Sequence, residues 1–208
     1  MTTTPRPIPS DSPAFKHRQA IGILAVLSAV AVELLLPPLV PEGSVLSWGL
    51  GAVGWAFFMA YVTMRLWSIL WVGGRKGREL VTQGPYALTR NPLYVGSLCF
   101  GLSCAAFLQS LVVLGATCVV GLIYGLRVIP AEERALEAMH GETFRAYRAL
   151  TPRFLPRWPR EPGPASTTLI LRGIRGETFK LWRAGLMPPI ALLLTHARHL
   201  PWWPRLPI

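Results

Sequence analysis

Between two long apolar runs the chain carries Gly84-Pro85-Tyr86-Ala87-Leu88-Thr89-Arg90-Asn91-Pro92-Leu93-Tyr94-Val95-Gly96, a stretch that combines turn formers, one arginine and two tyrosines. Each proline pushes the residue before it out of the α region, so the spacing predicts a shaped loop and a helix start at Pro92 or Leu93. A helix start offers unpaired N–H groups. With Arg90 beside them, these suit a carboxylate or phosphate, and the tyrosines offer flat faces and hydroxyls to a heteroaromatic ligand. An ordinary basic connector between two membrane helices would use the same residues, and spacing alone leaves both readings open.

Further on come Glu132-Glu133, Gly141, Tyr147 and Pro152-Arg153-Phe154, followed by Pro156. The adjacent glutamates fall in the first turn of a predicted charged helix, where the dipole favours acids. One of them, set beside a cavity, could instead accept two hydrogen bonds from ribose hydroxyls. Adjacent helical side chains point about 100° apart, so the two cannot face one ligand equally.

The first stretch resembles the Gly-Pro-Tyr…Arg-His-Pro-x-Tyr motif of the isoprenylcysteine carboxyl methyltransferase and phospholipid methyltransferase superfamily, and the second block resembles that superfamily's Glu-Glu…Gly…Tyr…Pro-Arg-Phe block. Together they run from Leu80 to Pro156. The resemblance implies S-adenosyl-L-methionine as cofactor and methyl transfer to an acceptor arriving from the lipid, with an isoprenylcysteine-like carboxylate as the leading case. It implies that Gly84, Pro85, Tyr86, Asn91, Pro92 and Tyr94 line the cofactor site and that Glu132 or Glu133 holds its polar groups. Arg90 would orient an anionic partner, while Tyr147 and Arg153 close the site; Arg90 and Glu133 are the candidate catalytic residues. Because methyl transfer is an in-line displacement at an already activated carbon, alignment and exclusion of water are what the protein must supply.

Asn91 stands where the superfamily has histidine, so an imidazole base is lost there, and His140 and Phe144 replace residues often seen around the second-block glycine. A carboxylate acceptor needs no base, whereas an ammonium must first lose a proton, which favours the carboxylate. A phospholipid or amine N-methyltransferase is the nearest alternative. A sterol-reductase-type enzyme would show Trp-Trp and an aspartate where Pro85-Tyr86 and Ser97 stand. A non-catalytic membrane scaffold is the third class.

The elements that must position these residues are apolar. Hydrophobic residues make up 51% of the 208 and charged residues 15%, with 21 Lys and Arg against 10 Asp and Glu, a composition that excludes a typical soluble domain. The basic residues lie mainly at the ends of apolar runs, facing anionic headgroups, and this argues against nucleic acid as the partner. The expected fold is an all-α polytopic membrane protein with about four transmembrane helices. The runs are Ala20 to Leu36, Val45 to Val72, Leu93 to Phe107 and Leu111 to Ile129. Gln109-Ser110 is too short for anything but a tight hairpin, and this hairpin returns the second block to the first. Arg65, Arg75, Lys76 and Arg78 flank the exit of the second run, against Glu42 alone in the turn before it, which places the chemical loops in the cytoplasm and the chain in the inner or plasma membrane.

Residues 1–19 read as a disordered cytoplasmic tail, 20–160 as the methyltransferase core, and 161–208 as a linker and C-terminal membrane-associated segment. Leu186 to Leu194, interrupted by Pro188-Pro189, is too short to span, so an interfacial or partly inserted helix anchored by Trp182, Trp202 and Trp203 is expected. Gly141 is expected to break the charged helix. Cys99, Cys104 and Cys118 sit in apolar runs without CxxC spacing, and His17, His140, His196 and His199 lack zinc-site spacing, so neither a disulfide nor a metal is expected. No GxGxxG or Walker loop is present.

Overall fold

The computed structural model describes residues 13–72, 79–158 and 174–204. Its regular elements are helices: α1 (Pro13–Leu35), α2 (Val45–Val72), the single turn α3 (Pro85–Leu88), α4 (Pro92–Phe107), α5 (Leu111–Ile123), α6 (Ile129–Leu150), α7 (Ile174–Gly185) and α8 (Met187–Ala197). A π-helical turn, Tyr124–Val128, joins α5 to α6 without a break. Among the described residues two helices are long and apolar enough to cross a membrane, α2 and the Leu111–Leu150 stretch, which bends at Gly141; Gly22–Leu35 and Pro92–Phe107 are shorter apolar helices. The four apolar runs thus become two helices of spanning length and two shorter ones. At 1.5 Å per residue, α4 is only ~24 Å long against a hydrocarbon core of ~30 Å.

Two expectations need adjusting. Within the described residues α1 is already helical at Pro13, so residues 13–19 do not belong to a disordered tail. Residues 1–12 lie outside the described residues, as do the basic 75–78 cluster and most of the expected linker. Pro188-Pro189 does not interrupt the C-terminal helix but sits in the first turn of α8, where a proline sacrifices only N–H groups that would be unpaired anyway. Of the two alternatives for this helix, packing into the bundle is what α8 does: Pro188, Ala191 and Thr195 are buried, and the Thr195 hydroxyl donates to the Phe107 carbonyl at 2.9 Å. Gly141 does interrupt α6, with φ 51° and ψ −124°.

The core lies between α2 and α4, the most extensive helix pairing. Phe107, fully buried, fills it with Phe58, Tyr61, Cys104, Val113 and Ala191. Gly54 permits this approach, since a Cβ there would stand 2.9 Å from the Phe107 ring. The α4–α5 hairpin turns through Gln109, at φ 53°, and Ser110 caps α5 by accepting from the Val113 amide at 2.9 Å. Gln109 also donates to Ser47 at 2.9 Å. The turns Leu36–Ser44 and Leu108–Ser110 therefore share one end of the bundle, and the start of α4 and all of α6 share the other.

Candidate cofactor site

Sequence order brings the two motif blocks to the same end, and hydrogen bonds stitch them together. The Arg90 amide donates to the Pro152 carbonyl at 2.9 Å and the Arg157 amide to the Leu88 carbonyl at 3.0 Å. The Arg153 carbonyl accepts from Thr89 Oγ1 at 3.0 Å and from Asn91 Nδ2 at 3.1 Å. Residues 88–91 and 151–157 thereby lie side by side, two irregular segments that brace each other.

Glu133 is the hub. It is 6% exposed, and its carboxylate receives Arg90 Nε at 3.0 Å and Arg153 Nη2 at 2.6 Å. Arg90 Nη1 donates in addition to the Arg148 and Thr151 carbonyls, both at 2.8 Å. The guanidinium of Arg90 thus ties the start of α4 to the end of α6, and this fork geometry is one a lysine cannot reproduce. Two cations around one buried carboxylate leave a local positive excess, which Glu132 offsets. Glu132, half-buried, accepts from the Tyr94 hydroxyl at 2.8 Å.

Aromatic rings surround this carboxylate pair. Tyr94 packs on Tyr124 with ring centroids 5.7 Å apart. Burial, reinforced by the Glu132 charge and opposed by Arg65, pushes the Tyr86 phenol well above its usual range, so it stays a neutral hydrogen-bond donor across physiological pH. Its backbone carbonyl accepts from the Tyr147 hydroxyl at 2.7 Å. Gly84 turns the chain at φ +60°, and a Cβ there would lie 2.3 Å from the Trp71 indole, so only glycine fits against α2.

The structure brings every predicted site residue to this end. Glu132, Tyr86 and Tyr94 form the more open part, while Glu133, Asn91, Pro92, Tyr147 and Arg90 are mostly committed to holding it together. Asn91 is buried and spends its amide on the Arg153 carbonyl, which gives a structural reason for an amide at a position where the superfamily has an imidazole. Sequence reading misses Thr89, Trp71 and Tyr124. Thr89, fully buried, carries no local signal. Tyr124 is brought onto Tyr94 by the π turn, a local widening that no residue type announces.

A half-open carboxylate flanked by tyrosines fits an adenosine-bearing cofactor, because the carboxylate can accept from ribose hydroxyls and the rings can cover a purine face.

Comparison with known proteins adds two findings. The sequence model of the phospholipid methyltransferase family matches residues 45–143. The chain is also 34% identical to the cobalt-zinc-cadmium resistance protein CzcN of Cupriavidus metallidurans, over 83% of this chain and 80% of that one. It is 31% identical to the nickel-cobalt-cadmium resistance protein NccN of Alcaligenes xylosoxydans xylosoxydans, over 95% and 92% respectively. No solved structure matches the chain.

Proposed function

The chain belongs to the phospholipid methyltransferase family, and from that premise we propose that it transfers a methyl group from S-adenosylmethionine to a lipid-soluble acceptor at the end of the bundle where α4 begins and α6 meets residues 151–153. The observation that carries this reading is the convergence of both motif blocks on Glu132 and Glu133. The cofactor supplies the activated methyl group; the chain supplies position. Glu132 and Tyr94 bind the ribose hydroxyls, and Tyr86 covers the adenine. Glu133 holds Arg90 and Arg153, and these set the entry of α4 and the course of residues 151–157. Arg90 keeps its Nη2 corner for an anionic group of cofactor or acceptor.

The acceptor we favour is one already deprotonated, such as an isoprenylcysteine-like carboxylate. What supports this is Asn91: a buried amide turned toward a carbonyl cannot take a proton, and an ammonium acceptor would need a base. Charge asymmetry around α2 supports a cytoplasmic position for this end, in the inner or plasma membrane. The names of the two relatives speak of metal resistance and leave the acceptor open.

Calorimetric titration of S-adenosylmethionine into purified protein, followed by transfer of labelled methyl into a membrane lipid extract, tests the reading. Saturable binding, with label in an alkali-labile ester, is expected. Absence of binding would overturn the proposal, and label in a base-stable amine would move the acceptor to the amine class.

A further inference from the structure

The segment that braces the cofactor loop has a second edge. Along one side of residues 150–158, backbone groups bond to Arg90, Thr89, Asn91 and Leu88. Along the other, Leu150, Leu155 and Trp158 stand 73%, 83% and 82% exposed. Between the two, the Phe154 ring lies over the π turn, so that a Cβ on Gly125 would touch it at 3.4 Å. Leu122 and Ile123 at the end of α5 and Leu126 in the π turn are exposed as well. The Phe154 contact thus joins the apolar residues of the segment to the exposed apolar end of α5 and the π turn.

We propose that residues 150–158 form a strap seated in the headgroup layer on the site's side of the membrane, and that this seating holds the strap against residues 88–91. Three features select lipid as the occupant. The patch is continuous with the spanning surface of α5. Trp158 and the exposed Arg157 are the aromatic and cationic residues that settle at an anionic interface. From Thr151 on the strap is not helical, and non-helical backbone facing lipid belongs at the hydrated headgroup level and no deeper. Left in water, so large an apolar edge would be unfavourable. The cofactor loop would then be shaped in part by the bilayer, because the strap that carries its hydrogen-bond partners is anchored there. This consequence rests on the reading of this end as the cofactor site; the seating itself does not.

The test uses the full chain in vesicles of phosphatidylcholine and phosphatidylglycerol. Nitroxide labels at Leu155→Cys and Trp158→Cys, in a background with Cys99, Cys104 and Cys118 changed to alanine, should be relaxed by oxygen in preference to a water-soluble nickel chelate. A label at Glu142→Cys, on the exposed face of α6, should show the reverse. Nickel access at 155 and 158 equal to that at 142, or exclusion of both relaxants as under a bound protein, would overturn the seating. Hydrogen exchange needs no cysteine background: in Leu155→Ser/Trp158→Ser the Arg90 amide should exchange about tenfold faster, with the α4–α5 hairpin unchanged. Unaltered exchange at Arg90 would overturn the coupling. Neither readout involves methyl transfer, so a seated strap in an inactive protein would count against the proposed reaction alone.

Discussion

Each end of the bundle buries a carboxylate against an arginine, yet the two ends are built to different purposes. At the end away from the cofactor site, Glu33 and Arg198 pair at 2.7 Å with both side chains 2% exposed. Ser110 donates to the other Glu33 oxygen at 2.5 Å, and Arg198 donates to the Leu36 and Leu108 carbonyls, both at 3.2 Å. That cluster is closed, and it fastens the end of α8 to α1 and to the α4–α5 turn. At the site end Glu133 is just as buried, but Arg153 beside it is 41% exposed, and a second, half-open carboxylate follows in sequence. A sealed ion pair serves assembly; one beside a half-buried carboxylate is where the proposed ligand would bind.

The largest effect should come from breaking the sealed pair one-sidedly. Arg198→Ala leaves Glu33 buried without its counter-charge, a loss of ~3–5 kcal/mol, whereas replacing both partners by apolar residues is often neutral. Thermal unfolding in detergent should therefore fall steeply for Arg198→Ala and recover in Glu33→Leu/Arg198→Met. A double variant as unstable as the single one would mean that this cluster does more than hold α8.

At the site end the two glutamates should separate. Glu132→Gln is expected to weaken S-adenosylmethionine binding ~10- to 100-fold, the equivalent of a charge-assisted bond of ~1.5–3 kcal/mol, with little change in unfolding temperature. Glu133→Gln should lower stability and binding together, because Arg90 and Arg153 lose their common anchor. Equal behaviour of the two variants by calorimetry and thermal unfolding would erase the distinction between hub and ligand-facing carboxylate. Arg90→Lys should cost less, on the order of tenfold in methyl transfer, since charge is kept while the fork onto Glu133 and two carbonyls is lost. Full activity in Arg90→Lys would reduce that arginine to a surface charge.

The same contrast explains what sequence could and could not give. The convergence of Arg90 and Tyr94 with Glu132 and Glu133 is legible because a two-residue polar interruption forces a hairpin, and helix lengths do the rest. The division of labour between the glutamates is not legible: both read as first-turn acids, although the helix runs on from α5 and leaves them no free N-terminus, and only the position of Arg153, brought back by residues 151–157, commits Glu133. What holds α8 in the bundle is hidden for a related reason. Leu186 to Leu194 is too short to announce a span, and its anchors are Thr195 and Arg198, polar residues that read as a helix end. Glu33, at the close of an apolar run, was the available signal, because a carboxylate at that depth requires a partner. Nothing local says that the partner lies 165 residues away.

The smallest effect should come from a pair at the far end itself, which isolates exposure as the deciding variable. Glu42 and His196 make a short contact beside the sealed cluster, with side chains 49% and 58% exposed. The His196 hydrogen bond holds the Glu42 carboxyl below its usual range, with burial opposing it. A carboxylate whose folded pKa is depressed contributes stability above its unfolded value and loses it as pH falls through the folded one. The contribution of Glu42 is thus confined to conditions where it is ionised. Water screens both groups, and exposed pairs of this kind frequently contribute nothing measurable. Glu42→Gln should accordingly leave the unfolding temperature unchanged at neutral pH and remove at most a shallow decline on acidification below the carboxylate range. A loss comparable to that of Arg198→Ala would show that the chain reads this contact as part of the seal, and that depth of burial does not separate the two.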